Sequence, residues 1–119
     1  MSQIRSQKYA QAAYPLVARI KRHELEAKYR TLALTFPSMI LQSGLSQAVG
    51  FLLAKGKEEH TQLLAHLAEL LTGKDDGQAL HSYILQANIS EYQLLTRKAL
   101  DAASWLKRYT QALLEKETS

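Results

Sequence analysis

Seven cations fall within the first thirty residues (Arg5, Lys8, Arg19, Lys21, Arg22, Lys28 and Arg30), against two anions, Glu24 and Glu26. That segment carries +5, while the remaining 89 residues, with eight cations and nine anions, carry −1. Charge gathered in one quarter of a chain is a statement about partners, and here it addresses an anion, either a phosphate backbone or an acidic protein face. On a helix of about 3.6 residues per turn, Arg5, Arg19 and Arg22 all fall within about 60° of Lys8. At about 1.5 Å per residue the four would span about 25 Å, enough to follow several phosphates. The same stripe also fits an ordinary solvated helix face, so it does not choose between the two by itself.

Other side chains that could do chemistry form no constellation. The four histidines, His23, His60, His66 and His81, lack His-Glu-x-x-His or any other standard metal spacing. They read as surface or partly buried side chains. Glu24, Glu26, Glu58 and Glu59 fall where first turns of helices are expected, which the helix dipole favours, and Asp75-Asp76-Gly77 lacks the ligand series of a calcium loop. Ser43 is not in a nucleophile elbow and there is no phosphate-binding glycine loop. With no cysteine, disulfides, thiolate chemistry and iron–sulfur clusters are excluded. The expectation is a binding protein, not an enzyme, with no cofactor and no metal site.

The elements that must position the cations are helices. Leucine and alanine together number 37 against 7 for valine and isoleucine, so the apolar content comes from helix formers. One all-α domain over residues 1–119 is expected, a bundle of about six helices with residues 115–119 as a frayed tail. Tyr9, Ala13, Leu16 and Ile20 keep a helical phase from Ser2 to Arg22 across Pro15, and Leu25, Tyr29, Leu32, Phe36 and Ile40 do the same across Pro37, so the first two helices are expected to kink at their prolines rather than break. A third helix follows Ser43-Gly44 and closes at Gly56; Gly50 inside it suggests a closely packed neighbour. A fourth covers Glu58 to Thr72, and Lys74-Asp75-Asp76-Gly77 is the clearest turn. A short fifth carries Leu80, Tyr83, Ile84 and Ala87. The last is expected from Ser90, with Gln93 completing a capping box, to about Lys116. On it Tyr92, Leu95, Ala99, Ala103, Leu106, Thr110 and Leu113 form the buried stripe, and Arg97, Asp101, Ser104 and Arg108 lie opposite. Trp105 falls to one side of that stripe, as an edge-of-core residue or an exposed interface residue. No apolar run approaches 18 residues and no signal-peptide core opens the chain, so a soluble, cytoplasmic protein without membrane contact is expected.

Three stretches carry a resemblance: Lys28-Tyr29-Arg30 through Leu34-Thr35-Phe36-Pro37-Ser38-Met39-Ile40-Leu41-Gln42-Ser43-Gly44-Leu45; Gln47-Ala48-Val49-Gly50-Phe51-Leu52-Leu53-Ala54-Lys55; and Leu94 to Leu100 with Trp105-Leu106-Lys107-Arg108-Tyr109 and Ala112. In order and spacing, over about residues 5 to 115, they resemble the small helical subunit of the Cmr complex, the type III-B CRISPR RNA-guided effector. The resemblance implies a non-catalytic structural subunit in antiviral defence. Its partners would be the other subunits of the complex, copies of itself, and guide and target RNA. It also implies a basic RNA-facing surface, carried onto Arg19, Arg22, Lys55, Lys107 and Arg108 beside Arg5 and Lys8 of the stripe. The small subunit of the related type III-A complex, or a helical adaptor that binds only protein, are the alternatives.

Overall fold

A computed structural model describes residues 2–115, with side chains from Ile4 onward. Six helices follow one another: α1 (Ser2–Ala18), α2 (Glu26–Ser43), α3 (Leu45–Lys55), α4 (Glu58–Thr72), α5 (Gly77–Gln86) and α6 (Ile89–Leu113), and no strand occurs among the described residues. The expectation of an all-α bundle around one core holds. The radius of gyration, 13.5 Å, is what a compact domain of this length should have.

The longest helix, α6, is the spine. Its Leu95, Ala99, Ala103, Leu106 and Thr110 are all buried, as the stripe requires, and α1 and α2 pack along it on either side. Ser6 meets Asp101 while Tyr14 meets Tyr109, so α1 runs parallel to α6. Glu26 meets Glu115 while Ser46, just past α2, meets Tyr92, so α2 runs antiparallel. Alanines at 99, 102 and 103 let the neighbouring helices approach, and Tyr29, Phe36 and Ile40 from α2 fill the space. Helices α3, α4 and α5 close the other side, with Leu45, Leu52, Leu63, Leu67, Leu80 and Ile84 fully inside. Burying one such side chain is worth roughly 1.5–3 kcal/mol.

Both proline-bearing helices continue through Pro15 and Pro37. Each loses one backbone donor, yet the apolar phase on both sides is buried against α6 and holds the helix together. The first helix nevertheless stops four residues short of the expected Arg22. After Ala18 the bonds shorten to Ile20 N–H on Val17 and Lys21 N–H on Ala18, and Arg22 takes φ 67°. Between Ile20 and Leu25 no apolar residue carries the buried face onward, so nothing sustains another turn of helix.

Three further expectations are corrected. The last helix begins at Ile89, not Ser90: Asn88 Oδ1 accepts from Glu91 N–H at 2.9 Å and Glu91 Oε1 accepts from Asn88 N–H at 2.9 Å, a capping box that starts two residues earlier. That helix ends at Leu113; the expected end at Lys116, and the tail beyond Glu115, lie outside the described residues. The close approach is not at Gly50, where an added Cβ would meet nothing within 4 Å, but at Gly77, where it would lie 2.6 Å from Leu64 Cγ. Gly44 joins α2 to α3 at φ 88°, ψ 159°, a backbone region essentially reserved for glycine.

Candidate nucleic-acid interface

The stripe of four cations on the first helix is divided by the fold. Arg5 and Lys8 lie in the first half of α1, whereas Arg19 and Arg22 belong to the turn beyond it. Arg5 is partly engaged already: its Nε is 3.9 Å from Asp101 Oδ2 and is buried without a hydrogen-bond partner. Lys8 is exposed, beside Ile4, Tyr9 and Leu70 in a shallow hollow.

Arg19 and Arg22 are both exposed, as is Lys21 between them. Their turn is fastened by Glu26, whose Oε1 accepts from Arg22 N–H at 3.1 Å and whose Oε2 accepts from Glu115 N–H at 3.0 Å. One carboxylate thus holds the basic turn against the finish of α6. Lys107 and Arg108 stand less than two turns before that finish, Lys107 half-buried and Arg108 exposed. Lys55, exposed, is the last residue of α3, and its Nζ sits 5.9 Å from the centre of the Phe51 ring. So Arg19 and Arg22 stand in the turn between α1 and α2, tied to the finish of α6, while Lys55 closes α3 and Arg5 and Lys8 lie in the first half of α1.

A groove of about 320 Å³ runs between α2 and the α3–α4 corner. Leu32, Met39 and Phe51 form its apolar part; Ala27, Lys28, Thr31 and Thr35 line its α2 side; Glu59 and His60 close it from α4. His60, read from its spacing as a surface or partly buried side chain, is 8% exposed. Its ring meets Phe51 edge to face at 5.5 Å, and its Nδ1 is buried, 3.7 Å from Glu59 Oε2 and without a hydrogen-bond partner. The sequence signal for this groove is faint: Lys28, Thr31 and Thr35 share a helical face, but Phe51 and His60 join them only through the turn at Gly56.

His66 is buried more deeply still, at 4% exposure. Its Nδ1 is 2.7 Å from the Tyr29 hydroxyl and its Nε2 is 2.9 Å from Gln62 Nε2. The Gln62 amide nitrogen donates, so Nε2 accepts and Nδ1 carries the proton, which is the arrangement of a neutral ring. Burial, and secondarily the nearby Arg19 charge, push its pKa down to about 4. Burial also raises the Tyr29 phenol well above its usual value. This is a packed polar joint between α2 and α4, and its placement needs no catalytic explanation. Trp105 resolves as an edge-of-core residue: it packs against the core, and its Nε1 donates to Ser6 Oγ at 2.7 Å, which in turn donates to Asp101 Oδ1 at 3.2 Å. Among the described residues no group of three histidine or carboxylate side chains could hold a metal ion, and no helix is long and apolar enough to cross a membrane.

Residues 5–113 match the model of the family described as CRISPR-associated protein (Cas_Cmr5). The chain is 42% identical over 111 residues to the CRISPR system Cmr subunit Cmr5 of Thermus thermophilus, covering 93% of this chain and 96% of that one. It is also similar to the crystal structure of a CRISPR-associated Cmr5 family protein from Thermus thermophilus, with a TM-score of 0.88, 42% identity, and 93% and 97% of the two chains covered. A match spanning every helix from α1 to α6 agrees with the resemblance read in the Lys28–Lys55 and Leu94–Ala112 stretches, and the chain belongs to the Cmr5 family of CRISPR-associated proteins.

Proposed function

We propose that this protein is the small, non-catalytic subunit of a type III-B CRISPR effector, the Cmr complex. In that role it stacks with copies of itself beside the subunits that hold the guide RNA, and offers guide and target RNA a basic surface during antiviral defence in the cytoplasm. The observation that carries the reading is the correspondence, along nearly the whole of both chains, with the Cmr subunit of Thermus thermophilus. Support for the RNA-facing surface comes from the exposure of Arg19, Arg22, Lys55 and Arg108, with Arg19 and Arg22 in the turn that Glu26 ties to the finish of α6. Arg5, drawn toward Asp101, contributes less than the stripe on paper suggested, and Lys8 acts apart from the rest. Support for a structural rather than catalytic role comes from His66, whose ring nitrogens are both taken up by Tyr29 and Gln62.

Copurification from the native host should yield this chain in a large ribonucleoprotein containing a processed guide RNA. Changing Arg19, Arg22, Lys55 and Arg108 together to glutamate should leave helicity intact. It should also flatten the salt dependence of RNA binding by the assembled complex by about 3 log units per log unit of salt, at about 0.7 per lost contact. An unchanged slope would remove this surface from the RNA path. Photocrosslinks from this chain to protein alone, never to RNA, would favour the adaptor reading.

A further inference from the structure

The groove between α2 and the α3–α4 corner has a chemistry of its own. Its apolar part includes the partly exposed ring of Phe51, which offers a π surface, with Leu32 and Met39 beside it. Lys28, exposed, lines it on the α2 side, and Lys55, outside the lining, has its ammonium 5.9 Å from the centre of the Phe51 ring. At its closed end lie Glu59 and His60, with side chains 13% and 11% exposed. Neither makes a hydrogen bond to its groove neighbours, and the His60 Nδ1 is buried and unpartnered. The His60 Nδ1 is sealed from solvent beside the Glu59 carboxylate, so that carboxylate is the polar group that a ligand in the groove meets.

From this geometry we infer that the groove receives one unpaired nucleobase of a single-stranded RNA. This inference rests on the RNA-contacting role proposed above and adds a base-binding site to it. An aromatic face, flanking cations and a sequestered hydrogen-bonding edge are the three parts that suit a groove to a single-stranded base. The base lies against Phe51 and the apolar side chains, Lys28 and Lys55 meet the phosphates on either side of it, and Glu59 accepts from a donor on the base edge. A carboxylate at that position selects bases that present N–H groups, as guanine does with N1 and N2. A volume of about 320 Å³ is large enough for a base with its ribose. The rival occupant, an apolar side chain of a protein partner, would use the floor but leave both lysines and the Glu59 carboxylate without partners. Charge complementarity therefore favours the nucleotide.

The test uses the full chain, with isotope-labelled Phe and His rings, titrated with a single-stranded oligoribonucleotide and with an oligomer of the same length made of abasic ribose phosphates. The base-bearing RNA should bind about tenfold tighter, in line with one aromatic stack, and should move the Phe51 and His60 ring signals that the abasic oligomer leaves in place. Phe51→Leu should erase that tenfold difference. Lys28→Gln, at an exposed position that does not threaten folding, should weaken both oligomers while keeping their ratio. Equal affinity for the two oligomers with unmoved ring signals overturns the base site and leaves the RNA-contacting role standing. Absence of RNA contact by this chain in the assembled complex overturns both. Ring signals that move only when a sister subunit is added overturn the base site in favour of a protein occupant.

Discussion

Lowering the pH from 7 to 5 should cost this protein about 2 kcal/mol of stability through His66 alone. The imidazole is 4% exposed, hydrogen-bonded at both nitrogens, and has its pKa pushed from 6.5 down to about 4 by burial and by Arg19. The unfolded chain takes up a proton there below pH 6.5 and the folded chain does not until about pH 4. Stability is therefore full above pH 6.5 and declines as the pH falls toward 4, at up to about 1.4 kcal/mol per pH unit. From pH 7 to 5 the loss comes to about 2 kcal/mol, and to about 3 kcal/mol by pH 4. That is a sizeable part of the roughly 5–15 kcal/mol that holds a domain folded. Urea unfolding followed by circular dichroism at pH 7, 6 and 5 reads it directly, as a midpoint falling by about 1 M at an m-value near 2 kcal/mol/M. His66→Asn supplies the control. Asparagine presents a polar atom near the place of Nδ1 for the Tyr29 hydroxyl but does not titrate, so its midpoint should start lower at pH 7 and change far less. The other three histidines are common to both proteins and cancel in the comparison. Parallel decline of wild type and His66→Asn would refute the assignment of the slope to this joint.

The remaining expectations concern backbone and packing, each read by thermal or urea unfolding of the variant beside the wild type. Gly50→Ala should stabilise by about 1 kcal/mol, since the new Cβ enters open space on a helix that glycine weakens; a loss instead would mean that α3 is more closely packed than its surroundings indicate. Gly77→Ala should destabilise by about 1–3 kcal/mol because its Cβ would drive into Leu64, and the pairing with Leu64→Ala should recover part of that loss. Thr110→Val should gain about 1 kcal/mol: the hydroxyl is buried on a fully covered residue with no hydrogen-bond partner, and a methyl of similar size carries no desolvation cost.

The one-dimensional pattern carried the helices well. Leucine and alanine at three- and four-residue steps set the buried faces of α1, α2 and α6, and those faces are buried in the fold, Tyr9, Ala13, Leu16 and Ile20 among them. Local chemistry also stood on its own where it needs only neighbours in the chain: Gly56 and Gly73 close their helices in the left-handed conformation, and Asp76 caps α5 by accepting from Ala79 N–H. Periodicity misled at the end of α1. Ile20 keeps the helical phase, but it reaches the core through a tightened turn, and the phase of one residue cannot tell a turn that folds inward from a helix that continues. The capping box was misplaced by two residues because Ser90 and Asn88 are both competent caps, and the choice falls to how α5 delivers the chain to α6.

Residue type, spacing and charge therefore determined the class of fold, the buried faces of the helices and the quarter of the chain that carries the net positive charge, because these depend on distances along the chain that helical geometry converts directly into position. Which cations stand together was a different matter. Arg19 and Arg22 stand beside the finish of α6 because α1 stops at Ala18 and Glu26 pins the turn beyond it to Glu115. The buried states of His60 and His66, and the groove beside Phe51, come from contacts between helices that only the folded chain brings together. Only the packing of whole helices sets such distances, and no local period encodes them.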